Sequence, residues 1–489
     1  MISQEQFKTK PYKHQIKALE KGWDRSSFAL FMEMGTGKSK VLLDNITMLA
    51  RLKKINFAFI IAPKGVYRNW ISKEIPEHFS EDIEHECIFW KSNMNQGEKK
   101  YWLNFWRNPP QDKFIIFVMN VEAFSTTRAF KNADVISSMF AAKGLIALDE
   151  STTIKNPKAK RTKALLKIAS KFAYKRILTG SPVTNSPLDL FSQCEFLGKN
   201  MLGFSSYYAF RARYAVLNSR QMGAHSFQQV VGYRHIKELT EKIDKFSFRV
   251  LKDECLDLPK KIYTSRYVYM TSEQVKMYEE IRKKALLMLE NDEFVSTPSM
   301  ITQMLRLQQI LSGHLKSDDG NMITFPTRRL DELLEICDEA PNKVIIWSRF
   351  RYDIMSIVKA LNSKYKGTVA RSFFGDASDS DRVEIVRDFQ NMNSELRFIV
   401  GNPSTAGRGL TLTAANTVIY YANDFNLETR MQSEDRCHRI GQEDKVTYID
   451  LICEGTIDEK IVKSLTGKIK LSAEVLGENI KEWLTIKSK

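Results

Sequence analysis

Between the apolar stretches Phe28-Ala-Leu-Phe-Met32 and Val41-Leu-Leu43 stands Gly35-Thr36-Gly37-Lys38-Ser39. Two glycines, a lysine and a hydroxyl at this spacing suit phosphate chemistry. The backbone N–H groups of a glycine loop wrap phosphate oxygens, and the N-terminus of a following helix adds its dipole. Lys38 then reaches the β/γ-phosphates and Ser39 holds Mg²⁺. The full pattern asks for glycine five residues before Gly37, where Met32 stands. The loop therefore suggests a nucleotide without saying what it drives, and a glycine turn that happens to precede a lysine is the bland alternative. Leu145-Ile-Ala-Leu-Asp149-Glu150 narrows the choice. An acidic pair ending an apolar run places Asp149 over the metal and Glu150 near an attacking water. Strand-end acids often cap the next helix instead, but both motifs in the right order within one half of the chain argue against that.

A further group stands toward the C-terminus: Gln432-Ser-Glu-Asp-Arg436-Cys-His-Arg439-Ile-Gly-Gln442. The spacing of Arg436 and Arg439 predicts one helix face. Guanidinium groups are fixed, planar, charge-assisted donors suited to a γ-phosphate. A solvated basic helix is the alternative, and the Arg-Ile-Gly-Gln ending disfavours it. Leu178-Thr179-Gly-Ser181-Pro182 follows one more apolar run.

These residues need scaffolds. Short apolar runs cover 57–63, 114–120, 144–149 and 176–179 in the first half, and 343–348, 396–400, 417–421 and 445–450 in the second. Nearly continuous apolar strands alternating with helical segments predict parallel sheets covered on both faces. The expected class is α/β, with one such layer in each half. From about Cys194 to Gln309 the strands fade and helical periodicity predominates. Residues 272–289 predict a helix with Ser272 as its N-cap. Lys252–Lys261, interrupted by charges and Pro259, reads as a linker. The expected organisation is an N-terminal lobe over 1–251 with a helical protrusion near 194–250, the linker 252–261, and a C-terminal lobe over 262–489 with a helical protrusion near 272–325. Trp102 and Trp106 read as core. Residues 204–214 interleave aromatics with arginines. That suits a nucleic-acid surface, but a helix burying its aromatics and solvating its arginines is the favoured reading.

Composition sets the bounds. The 489 residues carry 74 Lys and Arg against 58 Asp and Glu, a formal net charge of +16, which favours polyanionic partners such as nucleic acid. No apolar run approaches the ~20 residues of a spanning helix, and the N-terminus has no signal-like apolar stretch. The six cysteines show no CxxC pair and the seven histidines no cluster. The sequence thus predicts no zinc site, no disulfide framework, no membrane partner and an intracellular location.

The series of motifs resembles superfamily 2 helicase-like ATPases, and specifically the Swi/Snf type of DNA translocase. It comprises Pro11-Tyr-Lys-His-Gln15, Glu33-Met-Gly-Thr-Gly-Lys-Ser39, Ile60-Ile-Ala-Pro63 with Asn69-Trp70, Asp149-Glu150 with Ile154-Lys-Asn156, and Leu178-Thr-Gly-Ser-Pro-Val-Thr-Asn185. In the second half it continues with 343–348, Gly375 with Arg382 and Phe389, Ser404-Thr-Ala-Gly-Arg-Gly-Leu-Thr-Leu412 and 435–442. Nearly the whole chain is covered. The resemblance implies two RecA-like lobes with helical protrusions, ATP and Mg²⁺ in the cleft between them, and duplex DNA across both. It assigns Gln15 to adenine; Gly35, Thr36, Gly37 and Lys38 to the phosphates; Ser39 and Asp149 to the metal; and Glu150 to the water. Gly409 and Gln432 fall on the nucleotide side, and Arg436 and Arg439 would be arginine fingers. Pro63, Lys64, Thr179, Ser181, Ser348, Thr405 and Arg408 would couple or touch DNA. Two departures stand out. Ser151-Thr152 replaces the Ala-His or Gly-His that usually follows Asp-Glu, so coupling would run differently, through Thr179 or Ser181. Arg408 replaces a glycine, either as an extra phosphate contact or as a surface arginine.

The implied activity is ATP-driven translocation on double-stranded or branched DNA, gripped mainly through phosphates. Branch migration, fork regression and displacement of bound proteins or strands, in repair, replication or recombination, would be its outputs. A nucleotide-gated DNA clamp with little hydrolysis and a strand-separating helicase are the alternatives.

Overall fold

The protein is described here as a computed structural model, which covers residues 2, 4–222, 225–290, 297–317, 319–373, 379–406 and 410–476. Its contacts divide it into two units, Met1–Leu217 with Val230–Asp257 and Leu471–Asn479, and a second built chiefly of Leu258–Lys470.

In chain order, the strands up to Val250 are β1 (Ser27–Met32), β2 (Phe57–Ala62), β3 (His85–Phe89), β4 (Phe114–Asn120), β5 (Gly144–Asp149), β6 (Tyr174–Leu178), β7 (Ala215–Met222), β8 (His225–Tyr233) and β9 (Ser247–Val250). Seven of them form one sheet in the order β3-β4-β2-β5-β6-β1-β9, while β7 pairs with β8 alone. Every pairing in the large sheet is parallel. The sheet is apolar on both faces because alternate side chains enter two different cores. In β2, Phe57, Phe59 and Ile61 pack into one cluster, and Ala58, Ile60 and Ala62 into the other. Parallel strands point the same way, so the residues after the neighbours β2, β5, β6 and β1 emerge together at one edge. The carboxyl edge of such a sheet is where ligands bind in open α/β folds.

The second unit contributes β10 (Lys261–Val268), β11 (His314–Lys316), β12 (Met322–Thr324), β13 (Lys343–Trp347), β14 (Ala370–Phe373), β15 (Phe398–Gly401), β16 (Ala415–Tyr420) and β17 (Val446–Cys453). Its six-stranded sheet runs β10-β17-β16-β13-β15-β14, again wholly parallel. Val344 and Ile346 face one core, Ile345 and Trp347 the other. The eight apolar runs of the sequence all fall on strands of these two sheets.

The middle of the chain corrects the helical expectation. Helices do span Leu190–Leu197, Tyr207–Tyr214, Ile236–Asp244, Ser272–Glu290 and Thr297–Leu311, but β7, β8, β9 and β10 lie among them. The 194–250 segment is therefore mixed, and the 272–325 segment ends in the antiparallel pair β11–β12. The missed strands β9 and β10 are sheet edges. An edge strand tolerates polar side chains, so Ser-Phe-Arg-Val and Lys-Ile-Tyr-Thr-Ser-Arg-Tyr-Val lack the continuous apolar signature. The segment 252–261 is structured as well: Lys252–Cys255 is helical and Lys261 opens β10. The helix from Ser272 is capped one residue earlier than expected. Thr271 Oγ1 accepts from the Gln274 N–H (3.3 Å), and Gln274 Oε1 accepts from the Thr271 N–H (3.0 Å), a reciprocal capping box.

The aromatic and arginine-rich helix Tyr207–Tyr214 follows the favoured reading. Phe210 and Tyr214 are fully buried and pack tilted or edge-on against each other, Phe204 and Phe191, while Arg213 pairs with Glu238. Trp102 is buried and Trp106 packs against the same core.

Candidate nucleotide site

β1 ends at Met32 and the helix Lys38–Arg51 begins after Gly37. Gly35 and Gly37 both adopt positive φ, +83° and +86°, conformations that cost an L-residue with a Cβ roughly 1–2 kcal/mol. Gly37 has a second reason to lack a side chain: a Cβ there would lie 2.1 Å from Gln15 Nε2. The Lys38 ammonium folds back over the loop, donating to the carbonyls of Met32 (2.9 Å) and Glu33 (3.3 Å). Thr36 Oγ1 donates to the Glu33 carbonyl at 2.7 Å. These bonds leave a glycine cradle with a buried cation at the helix N-terminus, the donor set a polyphosphate requires.

Gln15 grips this loop from outside. Its Nε2 donates to the Thr36 carbonyl (3.1 Å) and its Oε1 accepts from the Tyr12 N–H (2.9 Å). His14 Nε2 donates to the same Thr36 carbonyl at 2.8 Å. Gln15, expected at adenine, thus braces the phosphate loop in this structure. His14 is a partner that sequence reasoning did not assign, although it stands beside Gln15 in the same motif.

The acidic pair closes β5. Asp149 Oδ2 accepts from Trp70 Nε1 (3.1 Å), and Oδ1 from the Glu150 N–H (3.0 Å). Burial pushes the Asp149 carboxyl up, and the neighbouring Lys38 charge pulls against that shift. Glu74 was not foreseen. Burial raises its carboxyl too, while a hydrogen bond from Ser39 opposes the rise and Asp149 adds to it. Glu74 thus links Ser39 to Asp149, which in turn neighbours Lys38, and both acids have lost much of their hydration. A divalent cation placed against Ser39 and Asp149 would be compensated by these oxygens. Nothing in the spacing around Glu74 marks it out; it closes a π-helical turn over Trp70–Glu74.

Glu150 sits at φ 49°, ψ 62°, in the left-handed region, which is uncommon outside glycine and asparagine and concentrates at functional positions. Thr179 Oγ1 lies 3.5 Å from Glu150 Oε2 and accepts from the Ser181 N–H at 3.2 Å. The loop after β6 also presses on the phosphate loop, since a Cβ on Gly180 would come within 3.1 Å of the Met34 nitrogen. Arg249 in β9 joins the two, its Nη1 donating to the carbonyls of Phe31 (3.0 Å) and Gly180 (2.9 Å). After β2, the Pro63 carbonyl accepts from Val66 and Tyr67, and the exposed Lys64 donates its N–H to Glu122 at 3.0 Å.

In the second unit the helix Leu427–Glu434 ends before Arg436, so the two arginines do not share a helix face. A turn brings them together instead: Arg436 Nη1 (3.3 Å) and Arg439 Nη1 (3.2 Å) both donate to the Leu410 carbonyl. The Arg-Ile-Gly-Gln ending builds that turn. Gly441 takes φ +95°, and Gln442 Nε2 donates to the carbonyls of Thr413 and Ala415, stapling the turn to the start of β16. The helical reading failed because three-residue spacing is equally compatible with a tight turn. Gln432 is buried, donates to Glu428 at 3.2 Å and receives Arg436 Nε on its carbonyl.

Ser348 was expected to couple the motifs or touch DNA. It is fully buried, and its hydroxyl donates to Asp353 Oδ2 at 2.6 Å, beside His314. Gly375, Arg408, Gly409 and the side chain of Thr405 lie outside the described residues.

A glycine loop, a buried lysine and a carboxylate pair at the carboxyl edge of one parallel sheet, followed by a second parallel-sheet unit, are the features of the helicase-like ATPase class. Residues 14–314 match the SNF2-related domain and residues 327–441 the helicase conserved C-terminal domain. The chain belongs to the SNF2-related family. It is 28% identical over 436 residues to the Bacillus subtilis (strain 168) protein YwqA, whose name describes an ATP-dependent helicase/translocase, covering 87% of this chain and 44% of that one. Identity to the ATP-dependent helicase MG018 of Mycoplasma genitalium is 27% over 454 residues, 92% of this chain and 40% of the relative. The chain spans less than half the length of these curated relatives. Among solved structures, the Sulfolobus solfataricus SWI2/SNF2 ATPase core in complex with dsDNA is 24% identical with a TM-score of 0.42, covering 97% of this chain and 94% of that one. No helix among the described residues is long and apolar enough to cross a membrane.

Proposed function

We propose that this chain hydrolyses ATP and uses the cycle to move along double-stranded or branched DNA. The observation that carries the reading is the first unit's site: Lys38, Ser39, Asp149 and Glu150 converge at the carboxyl edge of one sheet in a chain of the SNF2-related family. Lys38 holds the β/γ-phosphates over the loop of Gly35, Thr36 and Gly37, and Ser39 and Asp149 hold Mg²⁺, which would neutralise phosphate charge. Glu150 orients the attacking water and takes its proton. Arg436 and Arg439 stabilise charge on the transferring phosphoryl group. Phosphate contacts by a chain of net charge +16 supply the grip on DNA, so sequence preference is low.

The finer reading is remodelling of DNA structures: branch migration, fork regression or displacement of a third strand or a bound protein. Exchange of base pairs at a branch point is close to isoenergetic, so a motor tracking duplex drives it without a separating wedge. ATPase rates at one salt concentration with single-stranded, duplex, forked and four-way DNA test this, with Lys38→Ala as control. Duplex and branched DNA should stimulate most, and the protein should move a four-way junction but not unwind a long blunt duplex. Unwinding of that duplex without junction movement would favour the strand-separating helicase. Junction movement persisting in Lys38→Ala would favour the clamp.

A further inference from the structure

Ser151, directly after Glu150, and Gln193, on the helix Leu190–Leu197, are both fully buried. The Ser151 hydroxyl donates to Gln193 Oε1 at 2.7 Å. Gln193 Nε2 donates to the carbonyls of Pro182 and Asp189, each at 2.8 Å. Two carbonyl acceptors on one end and a hydroxyl on the other leave one amide orientation, and both amide hydrogens are used. The connected segments are the ones that matter for chemistry. Ser151 follows Glu150, whose left-handed backbone must be held by its surroundings. Pro182 ends the Thr179-Gly-Ser181-Pro182 loop, whose Thr179 hydroxyl faces Glu150 Oε2. The chain just beyond that loop is anchored by Asp189, whose Oδ2 accepts the N–H groups of Thr184 and Asn185.

We propose that Gln193 is a positioning residue for Glu150. Through the Ser151 hydroxyl and the Pro182 carbonyl it locks the turn carrying Glu150 to the loop carrying Thr179 and Ser181. Displacement of that loop is transmitted to Glu150 by this amide. The inference rests on the ATPase reading above. It is distinct from the phosphate grip, because neither Ser151 nor Gln193 bonds to the glycine loop or to Lys38.

The test uses the full chain with Ser151→Ala, Gln193→Met and the double variant. Each single change leaves a buried polar group without its partner and lowers stability. The double change removes the hydroxyl and the amide together, so the Ser151–Gln193 pair leaves no orphan of its own. Measurements are Tm, affinity for a fluorescent ATP analogue, and kcat and KM for ATP with and without saturating duplex DNA. A misplaced Glu150 is expected to lower DNA-stimulated kcat by roughly 10²-fold, with KM and analogue affinity within about threefold of wild type. The double variant should be no slower than the slower single variant, because both belong to one network. The proposal is overturned if the folded double variant keeps wild-type kcat, if kcat falls only in proportion to the folded fraction, or if KM rises while kcat holds. A wild-type protein that does not hydrolyse ATP with DNA would remove the ATPase reading itself. Active wild type with indifferent variants removes only the role of Gln193.

Discussion

Glu150 has the sharpest individual requirement in the first unit. In the proposed mechanism its carboxylate accepts a proton while its backbone stays in a conformation that costs an ordinary residue about 1–2 kcal/mol. Glu150→Gln keeps the shape and removes the basicity. It should bind the ATP analogue normally and hydrolyse ATP at least ~10²-fold more slowly; rapid-quench turnover beside equilibrium binding checks both halves. Arg436 and Arg439 differ in kind. Both guanidinium groups rest on the Leu410 carbonyl, and related arginine fingers contribute roughly 10³–10⁵-fold to turnover. Arg439→Ala should therefore depress kcat far more than ATP affinity. A variant whose ATP affinity collapses alongside kcat would show Arg439 to be a ground-state ligand.

At the scale of elements, the phosphate loop is held as much by the helix before it as by its own glycines. Gln15 and His14 both bond to the Thr36 carbonyl, and the loop passes so close that Gly37 has no room for a methyl. Gly37→Ala combines left-handed backbone strain with displacement of Gln15. It should lower stability by ~1–3 kcal/mol and weaken nucleotide binding. Urea unfolding and analogue titration on one preparation separate these effects, and an unchanged midpoint would mean that the loop relaxes freely. The helix Tyr207–Tyr214 carries a related lesson. Aromatic residues interleaved with arginines resemble a nucleic-acid surface in one dimension, yet a helix turns its faces apart. Phe210 and Tyr214 enter the core while Arg213 meets Glu238.

For the whole molecule, the charge of +16 makes salt the most informative variable. If DNA is held through phosphates, the logarithm of affinity should fall linearly with the logarithm of salt, with a slope near −0.9 per neutralised phosphate. Duplexes of scrambled sequence should give superimposable lines. A strong preference for one sequence at fixed salt would falsify backbone-dominated binding and point to base readout. Anisotropy titrations of labelled duplexes at several salt concentrations supply both tests.

Much of this protein was legible in one dimension because its chemistry is local. A glycine loop, its lysine and a strand-end acidic pair are short contiguous signals. The buried parallel strands announce themselves because both faces are covered, so every residue in a run such as Phe57–Ala62 is apolar. The edge strands β9 and β10 stayed hidden because an edge tolerates the polar residues that mask a strand. The turn carrying Arg436 and Arg439 stayed hidden because three-residue spacing fits a turn as well as a helix. Glu74 beside Ser39, Arg249 across the Phe31 and Gly180 carbonyls, and Gln193 between Ser151 and Pro182 are contacts between residues tens to hundreds of positions apart. Residue type and spacing determined which groups could do the chemistry. Which neighbours hold them in place was decided only by tertiary packing, because a hydrogen bond between distant segments leaves no periodic trace in either one.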